Sequence, residues 1–381
     1  MKITFLISCI LMLSTSVVAQ VKRPNKTTGQ FYDWYNTTQA HKDLNTIGFG
    51  PWKVNGQWEV PPLVEGQVRQ DFALMRGRDN QRPWKRSLAF NFNLGLNLRM
   101  YQGKPYNSYP VLPINFIAPG FSVDYYLNHL PTLLFGYAMP DDVERRNIFN
   151  LRLRVSHFSN GQSGNFYNAD STNTNVFDGN FSTNFFMSEL SWSRFNKNDD
   201  LFTTKLLYRT DFGIGDALGM ESGLKNSYGR NRVGLSLQWR SSDRAVGHYT
   251  FRKAEYGPSK EDGEGSKYRV LASDKNKYTR YASWLLRLET DYILGNLDDF
   301  PTFKNQSSEK LRGSARFTIG YYPANMRNLA LFTQVYYGRD YYNIRYTQEL
   351  LNFKAGFILD MMPYEPRGRD YMTGREASDV Q

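Results

Sequence analysis

Apolar and polar residues alternate along much of this chain with a period of two, the spacing that sends successive strand side chains to opposite faces. In Phe90-Asn91-Phe92-Asn93-Leu94-Gly95-Leu96-Asn97-Leu98-Arg99 the apolar set is unbroken on one side, with asparagine, glycine and arginine on the other. Trp284, Leu286, Leu288, Thr290 and Tyr292 likewise oppose Leu285, Arg287, Glu289 and Asp291, while Val233, Leu235, Leu237 and Trp239 oppose Gly234, Ser236, Gln238 and Arg240. The pattern continues through Ala315, Phe317, Ile319 and Tyr321, through Leu329, Leu331, Thr333 and Val335, and through Leu351, Phe353, Ala355, Phe357 and Leu359. Several runs reach the roughly 9–11 residues that a strand needs to cross a bilayer. Arginine and glutamate inside such strands are costly in the dry core of a secreted β-sandwich but ordinary in a polar lumen. The pattern therefore predicts an all-β fold: a transmembrane antiparallel β-barrel.

Ten strands stand out between residues 87 and 360, and weaker candidates fall at 118–127, 131–139, 201–210 and 247–252, so about twelve is the expected even number. Residues 20–86 carry few clear strands and include Pro51-Trp52 and Pro61-Pro62. They read as an N-terminal non-barrel segment packed at the periplasmic end or across the lumen. The polar stretches 160–182, 254–277 and 295–309 are expected to be long outer loops, Pro323-Ala324-Asn325 a short periplasmic turn, and residues 361–381 a polar tail.

Residues 1–19 have the anatomy of a secretory signal peptide: Lys2, an apolar stretch from Ile3 to Leu13, and a small-residue cleavage site at Val17-Val18-Ala19. Cys9, the chain's one cysteine, lies inside that leader, which excludes disulfides and cysteine metal sites from the mature chain. No later stretch approaches the roughly 20 apolar residues of a membrane helix. The chain has 26 Tyr, 26 Phe and 7 Trp yet a mean hydropathy of -0.57, a balance that suits strands with one face in lipid and one in a wet lumen. The expected location is the bacterial outer membrane. A net charge of +11 fits solvated loops and lumen arginines better than a dedicated contact with lipid phosphates, and nucleic acid is not an expected partner.

Chemistry enters where the alternation carries polar residues onto the apolar face. Phe149, Leu151, Leu153 and Val155 share one face of a strand, and by parity His157 and Ser159 fall on that same face. A polar group without compensation there costs about 1–3 kcal/mol, so the pair calls for a partner or a task. Across the 160–182 loop, Asn184 shares a face with Phe186, Leu190 and Trp192. Antiparallel partners bring such residues side by side, and a serine, a histidine and an amide orienter make a hydrolytic triad. In that triad Ser159 attacks an ester carbonyl, His157 takes its proton and Asn184 fixes the imidazole. Asn180 and Asn175 are the alternatives for the third member.

The segment His157-Phe158-Ser159-Asn160-Gly161-Gln162-Ser163 resembles the His-x-Ser-Asn-Gly-Arg-Ser motif of the outer-membrane phospholipase A family, and Asn184-Phe185-Phe186 lies where that family's catalytic Asn begins the next strand. Leu331-Phe332-Thr333-Gln334-Val335-Tyr336-Tyr337-Gly338, followed by Tyr342-Asn343, resembles its Leu-Tyr-Thr-Gln-Val-Tyr-x-Gly and Asp-Tyr-Asn. The resemblance spans about residues 147–359. It implies a twelve-stranded barrel with a lipid-facing triad, activated by calcium and by formation of a homodimer, and acting on membrane phospholipids. It also implies that the Gly161 amide contributes to the oxyanion hole and that the Gln162 main-chain carbonyl is a calcium ligand. Two departures stand out: Gln162 occupies the family's arginine position, and the loop between His157 and Asn184 is longer than the family's.

Other polar residues have simpler readings. His41, His129 and His248 lack a Ser or Asp constellation nearby in sequence and read as structural or exposed. Glu289 and Asp291 share their face with Arg287, which favours a lumen charge network over paired acid chemistry. Met361-Met362 reads as interface packing, and neither a phosphate-binding glycine loop nor a zinc signature occurs. The expectation is an outer-membrane phospholipase hydrolysing acyl ester bonds. The alternatives are a lipid A deacylase, a barrel family that also carries His-x-Ser-Asn but has a catalytic Glu and a shorter chain, and a non-catalytic porin or transporter.

Overall fold

Period-two segments joined by polar connections pair into one antiparallel sheet in the computed structural model. The structure describes residues 44–76, 88–100, 114–126, 147–159, 180–195, 200–213, 228–258, 268–295, 311–340 and 348–360, apart from one or two consecutive positions at places within them, together with scattered residues between 164 and 179 and two short strand pieces near residue 370. The strands are β1 (Thr46–Phe49), β2 (Trp52–Val54), β3 (Gln57–Glu59), β4 (Val64–Arg76), β5 (Leu88–Met100), β6 (Ile114–Tyr126), β7 (Asn147–Ser159) and β8 (Ser182–Phe195), then β9 (Leu201–Phe212), β10 (Asn231–Arg240), β11 (Arg244–Pro258), β12 (Tyr268–Leu294), β13 (Gly313–Tyr322), β14 (Leu329–Arg339) and β15 (Glu349–Leu359). Twelve of them close a ring in the order β1, β4 to β10, then β12 to β15, which bears out the expected barrel.

The ring closes through β1, which pairs with β15 on one side and with β4 on the other. Two glycines make the seam possible. Gly48 lies opposite Gly356, and a Cβ on Gly356 would sit 2.1 Å from the Ile47 carbonyl oxygen. The barrel thus begins at Thr46, not near residue 87 as the sequence pattern suggested. β1 has only four residues, too few to display a period, so its place is decided by pairing and not by its own alternation.

The expected outer loop at 254–277 is also corrected. β10 and β11 run on in line against β12, whose 27 residues pair first with β11 and then with β10. Residues 254–258 and 268–277 are therefore strand, in a hairpin that leaves the barrel at the end opposite the 160–182 connection. Met326 N donates to Pro323 O at 2.9 Å, closing a turn at that same end. Residues 1–43, most of 295–309, the 131–139 candidate and Met361-Met362 lie outside the described residues.

The two faces separate as the alternation requires. Val155, Leu206, Leu235, Phe317 and Leu331 are exposed on the outer wall, whereas Arg99, Arg152, Glu189 and Arg287 are buried inside. These lumen charges are paired, as burial demands. Arg99 on β5 donates to Glu65 Oε2 at 3.1 Å and to Asp340 Oδ2 at 2.8 Å, and Lys354 also pairs with Glu65. Arg152 on β7 reaches Asp71 on β4 at 3.4 Å, and Arg287 donates to Glu289 at 2.7 Å. Several of these pairs join strands that are not neighbours in the ring, so they tie non-adjacent parts of the wall together from inside.

Aromatic residues gather on the outer wall at the end opposite the 160–182 connection. Phe149 stacks on Trp192 with centroids 6.3 Å apart, Trp192 meets the edge of Phe202 at 6.5 Å, and Trp284 packs on Tyr321 at 4.7 Å. Tyr208, Tyr292 and Tyr337 lie exposed nearer the other end. Two such tiers, flanking an apolar band, are the pattern of barrel girdles at bilayer interfaces.

Candidate active site

β7 and β8 form a hairpin whose register puts His157 directly opposite Asn184 and Ser159 directly opposite Ser182. All four positions share the outer face with Leu153, Val155 and Leu190, which are exposed. His157 and Ser159 are half-buried on that wall, and Asn184 is buried.

The residues that alternate with these four point inward and hold them. Phe158, between His157 and Ser159, packs edge-on against Phe181 at 5.6 Å, and Phe181 packs against Tyr228 at 5.4 Å. Phe185 and Met187 join the same buried cluster. Thr183, next to Asn184, donates to Asp211 Oδ1 at 3.3 Å. Arg209 clamps Asp211 through Nε at 2.9 Å and Nη2 at 2.6 Å, and its guanidinium lies 4.0 Å over the Phe185 ring. An apolar plug and a charge clamp thus brace the site from the lumen side.

Across the outer face, His157 Nδ1 and Asn184 Oδ1 are 2.8 Å apart. Asn184 Nδ2 donates to the Phe212 carbonyl at 3.5 Å, which turns Oδ1 towards the imidazole. Because an amide oxygen only accepts, this contact requires the proton on Nδ1 and leaves Nε2 with a free lone pair. An imidazole held in that tautomer is competent to take a hydroxyl proton, and Ser159 is the next outward residue on the same strand. Of the two alternative amides, Asn175 Nδ2 donates to Asn165 O at 3.2 Å, and the Asn180 main-chain N–H donates to Gly164 O at 2.8 Å.

The neighbouring strand is irregular at this point. Phe116 pairs with Ser159 and Gly120 with Ser156, so three residues of β6 that include Pro119 face two of β7. Bulges of this kind re-aim a wall beside functional sites, and proline lacks the N–H that a regular ladder needs there.

Gly161 and Gln162 lie outside the described residues, so their expected roles have no geometry here. Calcium takes about 6–8 oxygen ligands, carboxylates prominent among them. No cluster of three His, Cys, Asp or Glu side chains occurs among the described residues. Sequence reasoning missed the Phe212 carbonyl, the Asp211 clamp and Ser182. The first is a main-chain group with no sequence signal, whereas the other two needed the cross-strand register.

No protein-family model matches the chain, and no curated protein is significantly similar to it in sequence. Among solved structures, a dimer of the outer membrane phospholipase of Salmonella typhi with bound calcium overlaps 84% of this chain and 91% of its own, at 13% identity and a TM-score of 0.46. An active-site mutant of outer membrane phospholipase A from Escherichia coli overlaps 87% of this chain and 99% of its own, at 13% identity and a TM-score of 0.47. LpxR from Salmonella typhimurium overlaps 77% of this chain and 87% of its own, at 7% identity and a TM-score of 0.31. At this level of overlap nothing about chemistry follows from these likenesses.

Proposed function

We propose that this protein is an outer-membrane phospholipase that hydrolyses acyl ester bonds of glycerophospholipids through a lipid-facing triad of Ser159, His157 and Asn184. The observation that carries the proposal is the 2.8 Å contact between His157 Nδ1 and Asn184 Oδ1 on the apolar outer wall, one outward position from Ser159. In a soluble hydrolase such a pair lines a cleft; here its surroundings suit a substrate that comes from the bilayer.

Depth supports the same reading. His157 lies eight residues along β7 from Phe149, which belongs to the lower aromatic tier. Eight residues span about 27 Å of strand, or about 20 Å of height at a tilt near 40°. An apolar band is about 25 Å tall, so a site at this level meets the boundary where a phospholipid's ester carbonyls sit. The proposed cycle starts as Ser159 Oγ attacks the carbonyl carbon while its proton passes to His157 Nε2. The carbonyl π electrons move onto oxygen. Collapse of the tetrahedral intermediate expels the lyso-lipid alkoxide, which takes the proton from His157, and water repeats the sequence on the acyl-enzyme.

A porin would need an open lumen, and the burial of the paired inward charges Arg99 with Asp340 and Arg152 with Asp71 speaks against one. The testing experiment is fatty-acid release from phospholipid in mixed micelles by the refolded full chain, with calcium or with chelator. Wild-type release that Ser159→Ala abolishes supports the proposal. Release that Ser159→Ala leaves unchanged overturns it, and acyl release from lipid A alone favours the deacylase.

A further inference from the structure

Ser182 stands directly across the hairpin from Ser159, on the same outer face. Directly opposed residues of an antiparallel pair have Cα atoms about 4.5–5.5 Å apart, close enough for both side chains to reach one small group. The rung below holds the His157 to Asn184 contact, so the four outward side chains form a two-by-two array. Base and orienter occupy one rung, and the nucleophile and a second hydroxyl occupy the other. Ser182 is half-buried, and its hydroxyl makes no hydrogen bond to another described residue. Its chain neighbours are fixed from within, Phe181 in the aromatic plug and Thr183 on Asp211, so the strand holds Ser182 in register beside Ser159.

Ester hydrolysis by a serine builds negative charge on the former carbonyl oxygen, and that oxygen needs donors held about 2.7–3.1 Å away. Water is scarce on a lipid-facing wall, which raises the worth of each donor. We infer that Ser182 is a catalytic residue whose hydroxyl donates a hydrogen bond to the ester carbonyl oxygen as charge develops on it. This rests on the proposed hydrolysis by Ser159. No proton is transferred by Ser182: its O–H bond stays intact, while the Ser159 proton passes to His157.

The bland alternative is a Ser–Ser pair that merely steadies the hairpin, a contribution of about 0.2–1 kcal/mol. The refolded full chain, assayed with a chromogenic ester and with its thionoester analogue, separates the two. A developing thiolate accepts hydrogen bonds poorly, so a donor's contribution shrinks on the thionoester. Ser182→Ala is expected to lower kcat on the ester by roughly 10²–10³-fold with KM within about twofold, and to lower it on the thionoester by less than about tenfold. Ser182→Thr, which keeps the hydroxyl, is expected to stay within about tenfold of wild type on both, and heat-modifiable gel mobility reports that each variant is folded. Ester turnover by Ser182→Ala within about threefold of wild type, or equal losses on both substrates, overturns the inference while the triad stands. Wild-type protein that hydrolyses neither substrate removes the triad and this inference together. If Ser182→Ala does not fold, Ser182→Val, which has the shape of the threonine variant without its hydroxyl, decides: loss of ester turnover far beyond that on the thionoester in a folded variant supports the donor, and equal loss on both refutes it.

Discussion

Removing the Asn184 amide isolates what the proposed orienter contributes. Asn184→Ala deletes the 2.8 Å contact to His157 Nδ1 and the 3.5 Å contact to the Phe212 carbonyl. The imidazole then loses the acceptor that selects its tautomer, and the ring is free to rotate about its own side-chain bonds on the outer wall. A hydrogen bond of this kind contributes about 0.5–1.5 kcal/mol net, and on the rate scale each 1.36 kcal/mol is tenfold. Loss of position adds to loss of the bond, so kcat should fall by about 5–30-fold with KM little changed. Stability should fall by about 1–3 kcal/mol, because the Phe212 carbonyl loses a partner and a small void opens at a buried position. The assay is phospholipid turnover under saturating mixed-micelle conditions, with urea unfolding in parallel. Asn184→Asp keeps an acceptor for Nδ1 and should recover much of the rate. Full kcat in a folded Asn184→Ala variant would refute the view that this amide orients the base.

Three further outcomes follow from the barrel. Glu65→Gln strips a carboxylate from between Arg99 and Lys354 and leaves buried cations short of charge, which should destabilise the barrel by about 3–5 kcal/mol in urea titrations. Gly356→Val forces a side chain into the space of the Ile47 carbonyl and should sharply lower the refolded fraction on a heat-modifiability gel, whereas a valine at exposed Leu331 should not. In planar bilayers the wild-type barrel should show no steady open-pore conductance, and a stable channel would contradict a lumen filled by buried ion pairs.

Parity was the most legible part of this chain. The alternation of Phe149, Leu151, Leu153 and Val155 carried His157 and Ser159 to the outer face before any pairing was known, and Asn184 reached the same face through Leu190. Arg287 and Glu289 were equally readable as lumen partners. The rest depended on contacts between residues far apart in sequence. β1 is four residues long and joins the ring only by pairing at both edges. The Arg99 to Asp340 pair spans 241 positions, a separation at which no local pattern is informative. Ser182 looked like the end of a polar loop, and only the register, counted from His157 opposite Asn184, sets it beside Ser159. The in-line course of β10 and β11 was hidden because polar and charged residues in 254–277 read as loop, although strands outside an apolar band have no need of an apolar face.

Covalent capture of the proposed nucleophile tests the central claim most directly. The refolded full chain is treated with a lipid-like fluorophosphonate, digested, and the modified peptide mapped by mass spectrometry. A single adduct on Ser159 that disappears in folded His157→Ala is the predicted result. An adduct on another residue, or none on protein that releases fatty acid, would contradict it.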